Sequence, residues 1–147
     1  MPLTKGLNKM APLNLKDVDL SNHTVLAVDD IPMNLLLISK ILSRLNITIK
    51  TAANGKEALE FIAQEKPSLV LLDLMMPEID GYEVLRRLRN DPETKDLRVV
   101  ILSALNSNED IVKGFNLGAN DFITKPIILE KLTSCVVTQL QLVDLSK

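Results

Sequence analysis

Apolar residues fall in two alternating rhythms from residue 24 onward, and the alternation predicts the architecture. Thr24-Val25-Leu26-Ala27-Val28, Leu69-Val70-Leu71-Leu72 and the run from Arg98 to Leu102 are short and branched-aliphatic. That is the pattern of strands buried on both faces of a parallel sheet. Ile47-Thr48-Ile49-Lys50-Thr51 alternates apolar and polar residues as a half-buried strand does, and Phe122-Ile123-Thr124 is a shorter fifth run. Between them, helical spacing covers Pro32 to about Leu45, Lys56 to Glu65, about Tyr82 to Arg89, Asn108 to Leu117, and Leu129 to about Val143. Pro32 suits a first helical turn, Asn54-Gly55 breaks the second strand, and Gly118-Ala119-Asn120 stops the fourth helix. Parallel neighbours need a crossover helix, so five strands and five helices predict an α/β fold, a doubly wound parallel sheet covered on both faces. Residues 1–22 are polar and unpatterned and are expected to form a loosely ordered N-terminal arm; residues 23–145 are expected to form one domain, with no repeat and no linker to a second.

Composition narrows the class. A chain of 147 residues suits about one domain, and 46% hydrophobic with 24% charged residues excludes a disordered chain. No run approaches the roughly 18 apolar residues of a membrane span, and the N-terminus lacks a signal-peptide core, so a cytoplasmic protein without a membrane partner is expected. A formal charge of -2 gives no electrostatic reason to expect nucleic acid. Arg86, Arg87 and Arg89 are interrupted by Leu88 and read as a solvated helix face. The single cysteine, Cys135, excludes an internal disulfide and reads as a small packing residue.

The chemistry sits at the strand ends. The first strand ends at Asp29-Asp30, the third at Asp73, the fourth at Ser103 and the fifth at Lys125. In open α/β sheets these ends lie along one edge, where ligands bind. A lone Asp73 would read as a helix cap or a loop acid, but a carboxylate leaving a buried strand beside two others is costly unless the site uses it. Three carboxylates repel one another and raise their pKa values unless a cation joins them. An all-oxygen group suits a hard divalent ion such as Mg²⁺, which keeps waters and accepts phosphate oxygens; no His or Cys is placed for zinc. With Lys125 as a point charge for an anion and Ser103 as a hydroxyl donor, the implied chemistry is phosphoryl transfer.

From Thr24 to about Val143 the chain resembles the receiver domain of bacterial response regulators. The motifs that carry the resemblance are Val28-Asp29-Asp30, Leu72-Asp73-Leu74-Met75-Met76-Pro77 with Gly81, Ser103-Ala104, and Lys125-Pro126. The resemblance implies the flavodoxin-like receiver fold with strand order 2-1-3-4-5. It makes Asp73 similar to the phosphoacceptor, attacking the phosphoryl group of a phosphohistidine or of acetyl phosphate. It implies Mg²⁺ held by Asp30, Asp73 and the Met75 backbone carbonyl, with Asp29 acting through water. Lys125 resembles the lysine that pairs with the acceptor and then with a phosphoryl oxygen. Ser103 resembles the switch hydroxyl, Ala104 its small neighbour at the phosphate, and Phe122 the switch aromatic, here without the hydroxyl of a Tyr. Lys125-Pro126 is a candidate cis bond, since X-Pro bonds lose most of the trans preference.

The implied function is a phosphorelay switch, not a turnover enzyme, that catalyses its own phosphorylation and dephosphorylation. Its expected partners are a sensor histidine kinase or histidine phosphotransfer protein, an output protein and, through the last helices, a second copy as a homodimer. A stand-alone receiver is the main reading. A fragment of a larger hybrid kinase or output-bearing regulator, and a phosphatase of similar fold with an aspartyl-phosphate intermediate, are the alternatives. In the first helix Leu35, Ile38, Leu42 and Leu45 share the stripe expected on the sheet, while Met33, Leu36 and Leu37 fall opposite and read either as a docking surface or as part of a broad buried stripe. Met75 and Leu105 flank the site and are large enough to hinder an attacking water, which predicts slow self-dephosphorylation. His23 precedes a strand, not a bundle helix, and is an improbable phosphohistidine.

Overall fold

The computed structural model describes residues 19–146. Strands β1 (Thr24–Val28), β2 (Thr48–Ala52), β3 (Leu69–Leu72), β4 (Arg98–Ser103) and β5 (Asp121–Thr124) alternate with helices α1 (Pro32–Leu42), α2 (Gly55–Gln64), α3 (Gly81–Asn90), α4 (Asn108–Asn116) and α5 (Leu129–Leu145). The sheet is parallel throughout, in the order β2-β1-β3-β4-β5, as the resemblance implied. A 3₁₀ turn over Ser43–Leu45 prolongs α1, and Asn46 ends it in the left-handed region at φ 55°. An Asn tolerates that region better than most non-glycine residues.

The strand period of two divides the core into layers. Val25, Ala27, Leu69, Leu71, Val100 and Leu102 face one way, onto Ile38 and Leu42 of α1 and Leu132, Val136 and Leu140 of α5. Leu26, Val28, Val70, Leu72, Val99 and Ile101 face the other, onto Ala58 and Ile62 of α2 and Val84, Leu85 and Leu88 of α3. Burial of each large aliphatic side chain contributes roughly 1.5–3 kcal/mol, so the central strands leave margin for buried acids at their ends. By contrast β2 lies at the sheet edge with Thr48, Lys50 and Thr51 exposed, and α4 buries only Gly114.

Caps fix the helix starts. Asn54, Asp80 and Ser107 each accept a hydrogen bond from a backbone N–H of the following turn, and Ser107 with Asp110 completes a capping box. Each such cap is worth about 1 kcal/mol. The expected loose arm lies outside the described residues as far as residue 18. Of the rest, Asp19, Ser21 and Asn22 are exposed, whereas Leu20 is 2% exposed within the layer under α1 and α5. No helix among the described residues is long and apolar enough to cross a membrane.

Candidate functional site

Strand register brings the sequence-marked residues to one edge. Val28 pairs with Leu72, so Asp29 and Asp73 leave the sheet side by side, and the Asp73 N–H still donates to the Val28 carbonyl at 3.0 Å. Ser103 pairs with Thr124, and the Lys125 N–H donates to the Ser103 carbonyl at 2.8 Å. Asp29, Asp73 and Ser103 are 1%, 4% and 0% exposed, whereas Asp30 is exposed. One oxygen from each of Asp29, Asp30 and Asp73 lies within 4.8 Å of the others, and among the described residues this is the group of metal-ligating side chains with that geometry. Three hard oxygen donors at that spacing fit a divalent cation of the Mg²⁺ or Ca²⁺ kind.

Lys125 supplies the positive charge. Its Nζ donates to Asp29 Oδ2 at 2.9 Å and makes a longer ion pair with Asp73 Oδ2 at 3.7 Å. The resemblance paired this lysine with the acceptor; here the shorter contact goes to Asp29. Asp29 is the more buried of the two, and a carboxylate removed from water depends most on a partner. It also accepts from the Ile31 N–H at 2.9 Å and the Asn34 amide at 3.1 Å. Asn34 went unmarked in the sequence, although an amide in the first turn after Asp29-Asp30 is a signal that pattern reading can use. Asp73 accepts a long bond from the Met75 N–H, 3.4 Å. Burial raises the Asp73 pKa above the usual carboxylate range, with Lys125 opposing the shift and Asp29 adding to it.

The loop after β3 is fixed by close backbone packing. The Gly81 N–H donates to the Leu74 carbonyl at 3.0 Å, and a Cβ on Gly81 would fall 2.3 Å from the Asp73 carbonyl oxygen. Only glycine lets α3 start this close to the end of β3. Ser103 Oγ accepts from the Leu105 N–H at 3.2 Å, Ala104 is exposed beside it, and the Lys125–Pro126 bond is cis. Phe122 is half-buried, and a Cβ on Gly114 of α4 would lie 3.2 Å from its ring, so the bare Gly114 backbone makes its space. Asp30, Met75, Pro77, Tyr82 and Leu105 line an open cavity of about 420 Å³ beside Asp73.

Other marked residues lie elsewhere. Met33 and Leu36 of α1 are exposed, as is Leu37 beside them, while Ile38, Ile41 and Leu42 are buried. The broad buried stripe therefore does not form. His23 is buried and hydrogen-bonded through both ring nitrogens, to Ser68 Oγ at 2.8 Å and to Asp144 Oδ1 at 2.9 Å, far from any role as a phosphate carrier. Arg86 and Arg87 form exposed pairs with Glu83, as expected of a solvated face. Arg89 does not belong with them. Its guanidinium reaches from α3 to the Gly118 carbonyl at 2.8 Å and the Asn120 side chain at 3.2 Å, because Gly118, at φ 105°, turns its carbonyl toward α3 without a side chain in the way.

Comparison with known proteins agrees with this geometry. The family model described as "Response regulator receiver domain" matches residues 25–137. The chain is 42% identical to the protein of Vibrio cholerae serotype O1 named probable cyclic di-GMP phosphodiesterase, over 92% of this chain and 30% of that one. It is also 42% identical to response regulator PleD of Caulobacter vibrioides, over 70% of this chain and 23% of that one. The chain thus spans less than a third of the length of these curated relatives. Among solved structures it is similar to the Francisella response regulator 1452 receiver domain, with TM-score 0.76 and 32% identity over 82% of this chain and 98% of that one. The signal receiver domain of a signal transduction histidine kinase from Syntrophus aciditrophicus gives TM-score 0.75 and 34% identity over 81% and 90%. With the acidic edge, the lysine and the strand order all in place, the chain belongs to the response regulator receiver domain family.

Proposed function

We propose that this chain is the phosphorylation switch of a signalling pathway and that Asp73 is its phosphoacceptor. The observation that carries the reading is the convergence of Asp29, Asp30, Asp73, Ser103 and Lys125 at one sheet edge. An Asp73 carboxylate oxygen attacks the phosphorus of a phosphohistidine or an acyl phosphate; the P–N or P–O bond to the donor breaks, the imidazole of the first leaving with a proton from solvent and the carboxylate of the second leaving as its anion. Little covalent work falls to the protein, so positioning and charge stabilisation dominate.

Asp29, Asp30 and Asp73 with the Met75 carbonyl are the residues that would hold Mg²⁺. When bound, the ion offsets negative charge on the phosphoryl oxygens. Lys125 offsets the same charge from the other side and is held in place by its ion pair with Asp29. Ser103 and Ala104 take the phosphoryl group after transfer: the Ser103 hydroxyl turns to donate to a phosphoryl oxygen, and Ala104 leaves room. Movement of Ser103 frees space for Phe122, whose ring lies against Gly114 and so reports to α4, where Val112 and Phe115 are exposed. Pro126 and Gly81 hold the two loops that aim Lys125 and Asp73.

The exposed α1 residues Met33, Leu36 and Leu37 are the surface for a histidine kinase or phosphotransfer protein. The lengths of the relatives favour a switch that works with an output segment, on the same chain or another, and a homodimer is one form of that output. A turnover assay separates this reading from a phosphatase of similar fold. The switch consumes about one donor per slow cycle in Mg²⁺ and none in EDTA; sustained hydrolysis of small phosphoesters would favour the phosphatase.

A further inference from the structure

At the end of the sheet opposite the acidic edge lies a second polar site. The segments entering β4 and β5 and the ends of α3 and α5 enclose a cavity of about 420 Å³, lined by Arg89, Lys95, Asp96, Arg98, Gly118 and Asn120. A smaller cavity of about 200 Å³ shares Asp96 and Arg98 with it and adds Lys66. Four cationic side chains thus face a single acid, in a chain whose formal charge is -2.

Donors and acceptors are not balanced there. The Gly118 carbonyl already accepts from Arg89 Nε at 3.0 Å and Nη2 at 2.8 Å. Asn120 Oδ1 accepts from Arg89 Nη2 at 3.2 Å and the Val99 N–H at 2.7 Å. The donors remain open: Arg98 uses only Nε, toward Gln139, and its two Nη groups, Lys95 Nζ and Asn120 Nδ2 have no partner among the described residues. Burial lowers the Arg89 pKa from its ordinary value, with Asp96 acting against the shift and Arg98 adding to it. The free donors outnumber the one open acceptor, the exposed Asp96 carboxylate, and such a wall suits a ligand that brings mainly acceptors.

We propose that this cavity binds a small oxyanion of the phosphate class, free or borne on a small molecule. Arg98 and Lys95 provide the charge-assisted bonds, the Asn120 amide a directional one, and Arg89 a fixed positive floor. The concave shape and the opposing Asp96 favour a compact anion over an extended acidic polymer. Because Arg98 is tied to Gln139 and Ser146 also lines the wall, occupancy links the start of β4 to the end of α5.

The test is titration of the chain with inorganic pyrophosphate in EDTA, read by amide NMR. Saturable shifts at the Asn120 side-chain amide and Gly118 are expected, with Kd of about 1 mM or tighter. Lys95→Gln should weaken binding about threefold and Arg98→Gln about tenfold; Lys95 is exposed and unpartnered, so its variant reads the site without endangering the fold. Shifts that sodium chloride of equal ionic strength reproduces, or equal affinity in wild type and Lys95→Gln, overturn the site. Saturation centred on residues 29, 30 and 73 instead would assign the binding to the acidic edge and also overturn it.

Discussion

The Lys125 ammonium sits 2.9 Å from the Asp29 carboxylate, and this ion pair joins the last strand of the sheet to the first. Asp73, at 3.7 Å, shares the same charge more loosely. Asp73 thereby stays within reach of a cation and free of short bonds, the state that the proposed nucleophile needs.

Removing the lysine should leave Asp29 buried without its counter-charge. Lys125→Met is expected to cost about 2 kcal/mol, less than for a fully buried pair because the lysine is partly solvated. Asp29→Asn in the same chain should recover most of that loss in urea unfolding. Strictly additive effects in this cycle would mean that the pair contributes little.

Gly81→Ala tests the packing of α3 against the end of β3. The added methyl would meet the Asp73 carbonyl and the Leu74 Cα, at 2.3 and 2.8 Å, neither of which can swing away. A loss of about 2 kcal/mol is expected, together with slower phosphorylation of Asp73. Wild-type stability would show that the loop shifts freely.

Burial, with a smaller contribution from Asp121, pushes the Cys135 thiol from 9.0 up to about 12. At pH 8 it should therefore hold roughly a thousandfold less thiolate than an ordinary cysteine and react slowly with iodoacetamide. The sign for stability follows from the raised value. The neutral thiol's contribution is complete below pH 9 and is lost as pH rises toward 12, so denaturation midpoints should fall over that window more in wild type than in Cys135→Ala.

Leu36 is 61% exposed, so Leu36→Asp should change stability by no more than about 0.5 kcal/mol. It should slow phosphorylation by a phosphohistidine protein while leaving acetyl phosphate untouched. Equal loss with both donors would place its effect on the acceptor chemistry and not on docking.

The sheet and its acidic edge were legible because both depend on local pattern. A run such as Leu69–Leu72 can only be buried, and the residue after it can only be at a strand end. What pattern could not show were contacts set by distant segments. Arg89 looked solvated beside Arg86 and Arg87 until the turn at Gly118 came under it. His23 shows in the sequence only as a residue before a strand, with nothing to mark that Ser68 and Asp144 close on both its nitrogens, and Leu20 falls in a stretch with no periodicity at all. The preference of Lys125 for Asp29 over Asp73 belongs to the same class, since it rests on relative burial at a site built from three strands.

Intact mass after incubation with acetyl phosphate and Mg²⁺, followed by peptide mapping, bears most directly on Asp73. One phosphate adduct is expected on the wild-type chain, located at Asp73, with none on Asp73→Asn and none in EDTA. An adduct that persists in Asp73→Asn, or wild-type chain that stays unmodified under conditions where the fold is intact, would contradict Asp73 as the phosphoacceptor.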